Sequence, residues 1–411
     1  MRSRIVLVVL AAAAAPAAYL STASGGGDRR TGDPGVTPTT ILLGGTVPLS
    51  GPESAYAPVG RGAEAYFKYV NSRGGIHGRK IVYKLVDDAY DPGRTVQATR
   101  ELVQQDKVFA IFNSVGTEHN LAVRPFLNQL RVPQLFVGSG AGAIARERGR
   151  YPWTMGYLPS FAGEGAVYGR YIVRSRPRAR IAVLYEASDY GKELIGGLRK
   201  GLASRSRQIV ATQTYDVTDV DVSSQIAKLR SSRADTLMIL ALPKQALQAF
   251  ISTDKLGWRP QIFVTSVSID PIVMAIARLN TGGRTTEGAL GMAFLKDPTD
   301  ARLASDKGVR LYKQIMRRFL PGGDPKAAAH FYGMAVAFTM VDALRRAGKD
   351  LTRQRLLRAA THLDERDNPF LRRGITVKTS PRDYYPLSQV QLLRYRKNAW
   401  RPFGRLVPVA P

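Results

Sequence analysis

The chain contains no cysteine and only four histidines among its 411 residues. Without cysteine there is no disulfide framework, thiol nucleophile, iron–sulfur cluster or thiolate metal site. The histidines are scattered along the chain, and none belongs to the HExxH pair of a zinc hydrolase. We therefore expect the protein to use neither a cofactor nor a metal ion.

Negative charge is scarce as well, because 32 acidic residues stand against 60 Lys and Arg, a formal net charge of +28. Such an excess favours contact with a polyanion: nucleic acid, anionic lipid or an acidic wall polymer. Hydrophobic residues make up 44% of the chain and charged residues 22%, close to ordinary globular usage. A wholly disordered chain and a protein of many membrane spans are therefore excluded.

The N-terminus has the pattern of a secretory signal peptide. Arg2 and Arg4 precede an uncharged apolar run that starts at Ile5, and small residues occupy positions 21–23. We predict a signal peptide over 1–23 and a flexible linker over 24–40, and hence export to the periplasm or the exterior of the cell envelope. The alternative is an uncleaved anchor, although the run is shorter than the ~20 residues of a spanning helix. A lipoprotein anchor would need a cysteine.

Export changes the meaning of the positive charge, since an exported protein seldom meets nucleic acid. The densest cluster is five arginines between Arg170 and Arg180. We interpret it as a solvated basic face close to an anionic envelope, and we expect no nucleic-acid partner.

Strand-like and helix-like segments alternate along most of the chain. Short apolar runs over 41–47, 81–86 and 108–112 are separated by amphipathic stretches, and the same alternation returns between residues 181 and 279. Strict alternation predicts parallel sheets with helices on both faces. The fold class is therefore α/β, with two Rossmann-like lobes.

Several motifs occur in an order that resembles one family. They include Val47-Pro48-Leu49-Ser50-Gly51-Pro52, Asn71-Ser72-Arg73-Gly74-Gly75, Asp87-Asp88-Ala89-Tyr90-Asp91-Pro92, Pro152-Trp153-Thr154-Met155-Gly156 and Lys296-Asp297-Pro298-Thr299-Asp300. Each motif alone is weak, but the ordered set is similar to the type I periplasmic solute-binding proteins of ABC transporters, in the branched-chain amino acid (leucine/isoleucine/valine) class. The resemblance covers nearly all of residues 41–405.

The resemblance implies two lobes joined by a three-segment hinge, with a ligand held in the cleft. Lobe 1 would comprise 41–157 plus 288–373, and lobe 2 would comprise 158–287 plus 374–411. The protein would be a non-catalytic, monomeric receptor that captures a branched-chain amino acid or a related small carboxylate by hinge closure. Its partner would be an ABC permease in the membrane. A sensor of the same fold that signals to a membrane partner is the alternative.

Two loops that follow strands are suited to bind a carboxylate. One contains Ser114, Gly116 and Thr117, and the other contains Ser139 and Gly140. Doubly wound sheets bind ligands beyond the carboxyl ends of their strands, where backbone N–H groups and the positive helix end are available. The alternative is that the hydroxyls only cap helices. The resemblance also places the ligand carboxylate at these loops.

Aromatic residues are predicted to complete the site. The resemblance assigns Tyr56 to the cleft and Tyr190 to a tyrosine of lobe 2 that closes over the ligand, whereas Tyr157 is a weaker candidate near the first crossover. The alternative for Tyr56 is a core aromatic on the first helix.

The sequence departs from the family at one position that matters for the ligand. Amino-acid binders of this class carry an acidic partner for the ligand ammonium in lobe 2, and Val267 lies near the expected position. An unpaired buried ammonium would cost several kcal/mol. Asp270 could substitute, but with Pro271 it is more typical of a helix start. An aliphatic or aromatic acid without an amino group is therefore an alternative ligand.

Enzyme interpretations are weaker. Residues 138–143 satisfy the GxGxxA pattern of a dinucleotide loop, but no strand that ends in an acid follows at the usual distance. Asp87, Asp88 and Asp91 are better explained as a turn than as a cation site. His119, at a helix start, is expected to be an exposed polar residue.

Overall fold

Two sheets organise residues 33–409, the part of the chain that the computed structural model describes. The predicted signal peptide and most of the predicted linker lie outside these residues. The last part of that linker is packed, since Val36 contacts the core and the Asp33 carboxylate accepts the Arg353 backbone N–H. The prediction of a flexible linker over 24–40 is therefore wrong for residues 33–39. Within residues 33–409, no helix combines the length and apolarity that crossing a bilayer requires.

The first sheet has five parallel strands in the order β2-β1-β3-β4-β5. Its strands are β1 (Thr40–Val47), β2 (Lys80–Asp87), β3 (Ala110–Phe112), β4 (Gln134–Val137) and β5 (Thr154–Gly156). The helices between them are α1 (Ala57–Asn71), α2 (Pro92–Gln104), α3 (Thr117–Gln129) and α4 (Gly142–Arg146). Three later helices complete this half: α10 (Lys307–Phe319), α11 (Ala328–Ala347) and α12 (Arg353–Ala360). This half is called lobe 1.

The second sheet has seven strands in the order β14-β13-β10-β9-β8-β6-β7. Five are parallel: β6 (Ile181–Glu186), β7 (Ile209–Tyr215), β8 (Thr236–Leu240), β9 (Gln261–Val264) and β10 (Leu290–Ala293). The antiparallel pair β13 (Gln389–Arg396) and β14 (Ala399–Pro408) adds to the β10 edge. Its helices are α5 (Phe161–Ser175), α6 (Asp189–Leu202), α7 (Ser223–Ser231), α8 (Pro243–Lys255) and α9 (Pro271–Thr281). This half is called lobe 2, and the two sheets confirm the predicted α/β class.

Local sequence explains where several helices begin. The side chains of Asp91, Ser160 and Ser188 accept backbone N–H groups in the first turns of α2, α5 and α6. Such caps satisfy donors that have no partner inside the helix. Asp270 does the same for α9 and is followed by Pro271 at the first helical position, as its sequence predicts.

Helices α5 and α6 pack with their backbones in close contact. A Cβ added at Gly165 would lie 2.1 Å from the Leu194 carbonyl oxygen, and one at Gly197 would lie 2.0 Å from that of Ala162. Gly201 has a similar relation to Ala166. Only glycine leaves room for this approach.

Sheet membership moves two of the predicted crossovers. Strand β10 pairs with β9 and β13, so the return to lobe 1 comes after Ala293 and not near residue 288. Ile375, Val377 and Leu387 belong to the core of lobe 1, so the last crossover comes at about residue 388 and not near 374. A two-stranded ribbon, β11 (Asp364–Glu365) with β12 (Val377–Lys378), accounts for this difference because it holds residues 364–378 against lobe 1.

Candidate functional site

A cavity of about 370 Å³ lies where the carboxyl ends of the two sheets face each other. That volume is within the usual range of small-molecule sites. Lobe 1 contributes Tyr56, Tyr90, Val115 and Tyr332 to its wall, and lobe 2 contributes Tyr190, Leu242, Ile269 and Trp400. The wall is mainly apolar, so a bound molecule would need an apolar body.

The N-terminus of α3 opens onto this cavity. Gly116 and Thr117 both line the wall, and no side chain caps the first turn of the helix. Gly116 has φ +110°, and a Cβ there would lie 2.2 Å from Nδ1 of His119, so this position requires glycine. Free N–H groups and the positive end of the helix dipole make this part of the wall suited to an anion.

Three of the predicted carboxylate-binding residues lie behind the wall. The Ser114 Oγ accepts the Thr46 backbone N–H at 3.1 Å, and the Ser139 Oγ accepts the Ala141 N–H at 3.1 Å. Gly140 is glycine because a Cβ would lie 2.1 Å from the Pro159 carbonyl oxygen. The prediction that these three residues line the ligand site is therefore wrong, because they lie behind the wall and support it. Gly138 lines the cavity in their place. Ser139 still supports the site, since its Oγ is 2.8 Å from the Thr117 Oγ1.

Aromatic side chains of both lobes line the cavity. Tyr56 and Tyr90 have ring centroids 6.4 Å apart, and across the cleft Tyr190 packs edge-on against Phe161 at 4.8 Å. The Tyr190 hydroxyl is 3.3 Å from the Thr265 Oγ1. Both predicted cleft tyrosines, Tyr56 and Tyr190, therefore reach the cavity.

Tyr157 does not reach the cavity wall, contrary to the sequence-based prediction. Its ring is fully buried against Phe136 and Tyr332, and its hydroxyl is 3.1 Å from the Thr339 Oγ1 and 3.3 Å from the Ala335 carbonyl oxygen. Tyr332, which the sequence analysis did not select, stands in the wall instead. No local motif marks Tyr332, because it comes from α11, more than 270 residues after Tyr56 in the chain.

Asp270, the acidic residue considered as a substitute partner for an ammonium, is already engaged by backbone. Val267 and Asp270 both line the cavity. One Asp270 oxygen accepts the Ile272 N–H at 2.8 Å, and the other accepts the Ala328 N–H at 2.9 Å. Burial raises the pKa of Asp270, while these N–H groups oppose the rise. The carboxylate therefore joins the N-termini of α9 and α11.

Two more carboxylates cross between the lobes in the same way. Glu118 of α3 accepts the Asp189 N–H at the start of α6 at 2.9 Å. Glu193 of α6 accepts the Gly142 N–H at the start of α4 at 2.7 Å, and it pairs with Arg146 at 3.1 Å. With Asp270, they form three cross-lobe carboxylate bridges, each to a helix N-terminus of the opposite lobe.

Buried titratable groups lie behind the tyrosines. Glu53 is fully buried, and neither of its carboxylate oxygens has a hydrogen-bond partner among residues 33–409. Burial together with nearby Glu186 raises its pKa to about 8. Burial raises the pKa of Glu186 itself to about 7. His119, expected to be exposed, is buried with its ring centroid 4.3 Å from that of Tyr90, and burial lowers its pKa. That expectation was wrong because the helix start faces the cleft.

The opposite wall carries two basic residues, Lys296 and Arg372, beside Asp297. Lys296 Nζ lies 2.9 Å from an Asp306 oxygen and also donates to the Pro369 carbonyl. Arg372 donates to the Leu295 carbonyl at 3.2 Å, and burial lowers the pKa of its guanidinium. The three aspartates considered as a cation site accept backbone N–H groups instead: Asp87 from Leu49 and Ala89, Asp88 from Tyr90, and Asp91 from Arg94.

Two α/β lobes that enclose a ligand-sized cavity define a solute-binding protein. A family model described as a periplasmic binding protein matches residues 40–392. The chain therefore belongs to the periplasmic binding protein family, of the type I class that its motifs indicate.

Individual relatives agree with this assignment. The chain is 25% identical over 320 residues to "Leu/Ile/Val-binding protein homolog 1" of Brucella suis, covering 75% of this chain and 79% of that protein. A branched chain amino acid ABC transporter protein of Thermus thermophilus with bound valine superposes with a TM-score of 0.79 at 20% identity, covering 90% and 97% of the two chains. A fatty acid ABC transporter substrate-binding protein of Thermomonospora curvata gives 0.75 at 18%, covering 92% and 94%. The two structures show the shared fold.

Proposed function

We propose that this protein is an exported receptor of an ABC importer, and that it captures a small carboxylate with an apolar body between its lobes. The observation that carries the proposal is the apolar cavity with the uncapped start of α3 in its wall. The carboxylate would lie on the N–H groups of the first turn of α3, from Thr117 onward, since the Gly116 N–H already donates to the Gly138 carbonyl at 3.3 Å. The relatives named as Leu/Ile/Val-binding proteins support a ligand of this size.

The same geometry favours a ligand without an ammonium group. Val267 offers no charge, and both oxygens of Asp270 already accept backbone N–H groups. The other charged groups of the wall, Lys296 and Arg372 beside Asp297, give an ammonium no excess of negative charge to pair with. The described residues thus favour an aliphatic acid over an α-amino acid, in line with the likeness to a protein named for fatty acid transport.

In the proposed cycle the ligand first contacts lobe 1 and lobe 2 then closes. Hinge closure of this kind is known for periplasmic binding proteins as a class. Tyr190 would bring an aromatic face against the ligand, and contacts with both lobes would favour the closed form over the open one. The closed form would then be recognised by the membrane permease.

The test compares leucine with 4-methylpentanoate, which is the same molecule without its amino group. Thermal unfolding should shift with 4-methylpentanoate, since a ligand at ~100 times its dissociation constant adds about 2.7 kcal/mol of stability. Leucine should give a smaller shift. A larger shift with leucine would overturn the preference for an acid without an ammonium, and no shift with any acid of a wider panel would overturn the carboxylate site.

Two variants locate the binding event. Tyr190→Ala should weaken binding roughly tenfold by removing an aromatic wall. Tyr157→Phe, which removes a hydroxyl from the core of lobe 1, should leave the affinity unchanged. Equal effects of the two changes on affinity would place the ligand elsewhere.

A further inference from the structure

Three short segments of lobe 2 form a surface rich in arginine. Residues 174–180, 203–208 and 230–235 contain eight arginines and one acidic residue, Asp235. The arginines are Arg174, Arg176, Arg178, Arg180, Arg205, Arg207, Arg230 and Arg233. We call this surface the basic pole. Its charge of +7 over 19 residues exceeds the already high average of the chain.

Hydrogen bonds hold the three segments together as one surface. Arg205 and Gln208 both donate to the Pro177 carbonyl, at 3.3 and 2.8 Å. Arg180 donates to the Ser232 carbonyl at 2.9 Å. The spacing of these arginines is therefore set by the fold and does not depend on chance contacts between mobile side chains.

The basic pole lies at the edge of the sheet away from the ligand cavity. Its segments lead directly into β6, β7 and β8, which begin at Ile181, Ile209 and Thr236. The cavity lies beyond the opposite, carboxyl ends of these parallel strands. A partner bound at the pole would thus contact one lobe only and leave the cleft free.

Most of this charge is not neutralised by the protein itself. Arg176 pairs with Asp235 at 3.2 Å, whereas no other carboxylate among residues 33–409 comes within 4.0 Å of the remaining seven guanidinium groups. Four of these arginines are exposed: Arg174, Arg178, Arg207 and Arg230. Within residues 33–409 their side chains make no hydrogen bond to other protein groups. Close like charges oppose folding, so they serve the fold poorly.

We propose that the basic pole binds an extended anionic polymer that carries phosphate groups. Arginine suits phosphate because its planar guanidinium donates two parallel hydrogen bonds. A bilayer surface fits less well, because a flat contact at the pole would turn the cleft away from the membrane. In addition, none of the exposed large apolar side chains of residues 33–409 lies in the three segments, so nothing there would insert into lipid.

The test uses long-chain inorganic polyphosphate with a fluorescent end label and the full-length protein. The variant R174Q/R178Q/R207Q/R230Q should bind at least tenfold more weakly than the native protein. The slope of log affinity against log salt concentration, measured between roughly 50 and 200 mM, should also fall by about 3. Circular dichroism and an unfolding midpoint no lower than that of the native protein show that the variant is folded.

The matched control is R310Q/R317Q/R358Q/R382Q, which removes the same charge from exposed positions of lobe 1. It should retain most of the affinity. Equal losses in the two variants would mean that net charge alone attracts the polymer, and this would overturn the proposal, as would no binding by the native protein. A pole variant that loses phosphatidylglycerol vesicles but keeps polyphosphate would assign the surface to a membrane instead.

Discussion

At the scale of the residue, burial of Glu53 near the cleft opposes the ionisation of its carboxyl group. In the described part of the chain its buried carboxyl group has no hydrogen-bond partner, and of the nearby charges Glu186 opposes ionisation whereas Lys244 favours it. The neutral form is therefore the stable one at moderate pH. A buried ionised carboxylate without a partner is costly, and this cost appears as the raised pKa.

This feature predicts a pH dependence of stability. A carboxyl whose pKa is about 8 when folded, against 4.5 as its ordinary value, stabilises the fold fully below about pH 4.5 and loses that contribution as pH rises through 8. We expect the unfolding temperature to fall between pH 6 and pH 9. In Glu53→Gln this fall should be smaller, with a gain of roughly 1–3 kcal/mol at pH 9. Equal pH profiles for the two proteins, measured by calorimetry, would contradict the assignment.

At the scale of single residues, sequence reasoning succeeded where a motif fixes the backbone and failed where a side chain could turn. The order of strand, glycine and helix placed Gly116 and Thr117 at the cavity. The hydroxyls of Ser114 and Ser139 could face either the ligand or the neighbouring backbone, and no pattern distinguishes these orientations. The burial of His119 depends on Tyr90, which packs on it from another loop.

At the scale of elements, the contact between α5 and α6 depends on glycine at particular positions. Gly197 faces the Ala162 carbonyl oxygen, whereas the adjacent Gly196 has nothing within 4 Å of an added Cβ. Substitutions at these two positions therefore distinguish the effect of helix packing on stability from the effect of helix propensity, within one helix.

We expect Gly197→Ala to lower the free energy of unfolding by roughly 1–3 kcal/mol, because its methyl group would force the helices apart. Gly196→Ala should instead stabilise by up to ~1 kcal/mol, since alanine is the better helix former. Urea unfolding of both variants measures the difference. If the two substitutions changed stability equally, the close approach of α5 and α6 would not matter.

The alternation of strands and helices predicted both parallel sheets, but not where the chain passes between them. Strand β10 is short and apolar and would fit either sheet. Its place is decided by pairing with β9 and β13, a long-range choice that local periodicity does not contain. The same holds for residues 374–387, which pack in lobe 1 because of the ribbon of β11 and β12.

At the scale of the whole molecule, the cross-lobe carboxylate bridges would, in the proposed hinge cycle, favour the closed arrangement even before a ligand arrives. Glu118 and Glu193 lie outside the cavity wall and each accepts an N–H group from the other lobe. Each charge-assisted hydrogen bond contributes of order 1 kcal/mol, so together they can shift an equilibrium between open and closed forms.

The double variant E118Q/E193Q should therefore open the ligand-free protein. We expect a larger radius of gyration in small-angle X-ray scattering and a weaker apparent affinity, since a smaller fraction of molecules is competent to bind. Asp364→Asn is the control, because Asp364 pairs with Arg366 of the same lobe at 2.9 Å. Unchanged scattering of the double variant would show that these bridges do not hold the lobes.

Phe294 and Leu295 belong both to the second crossover and to the cavity wall. A ligand that touches them is in contact with the axis about which the lobes would rotate. The size of that ligand would then decide the angle at which lobe rotation stops. Large and small ligands would therefore give closed forms of different shape. A transporter able to distinguish those shapes could select among ligands without contacting the ligands themselves.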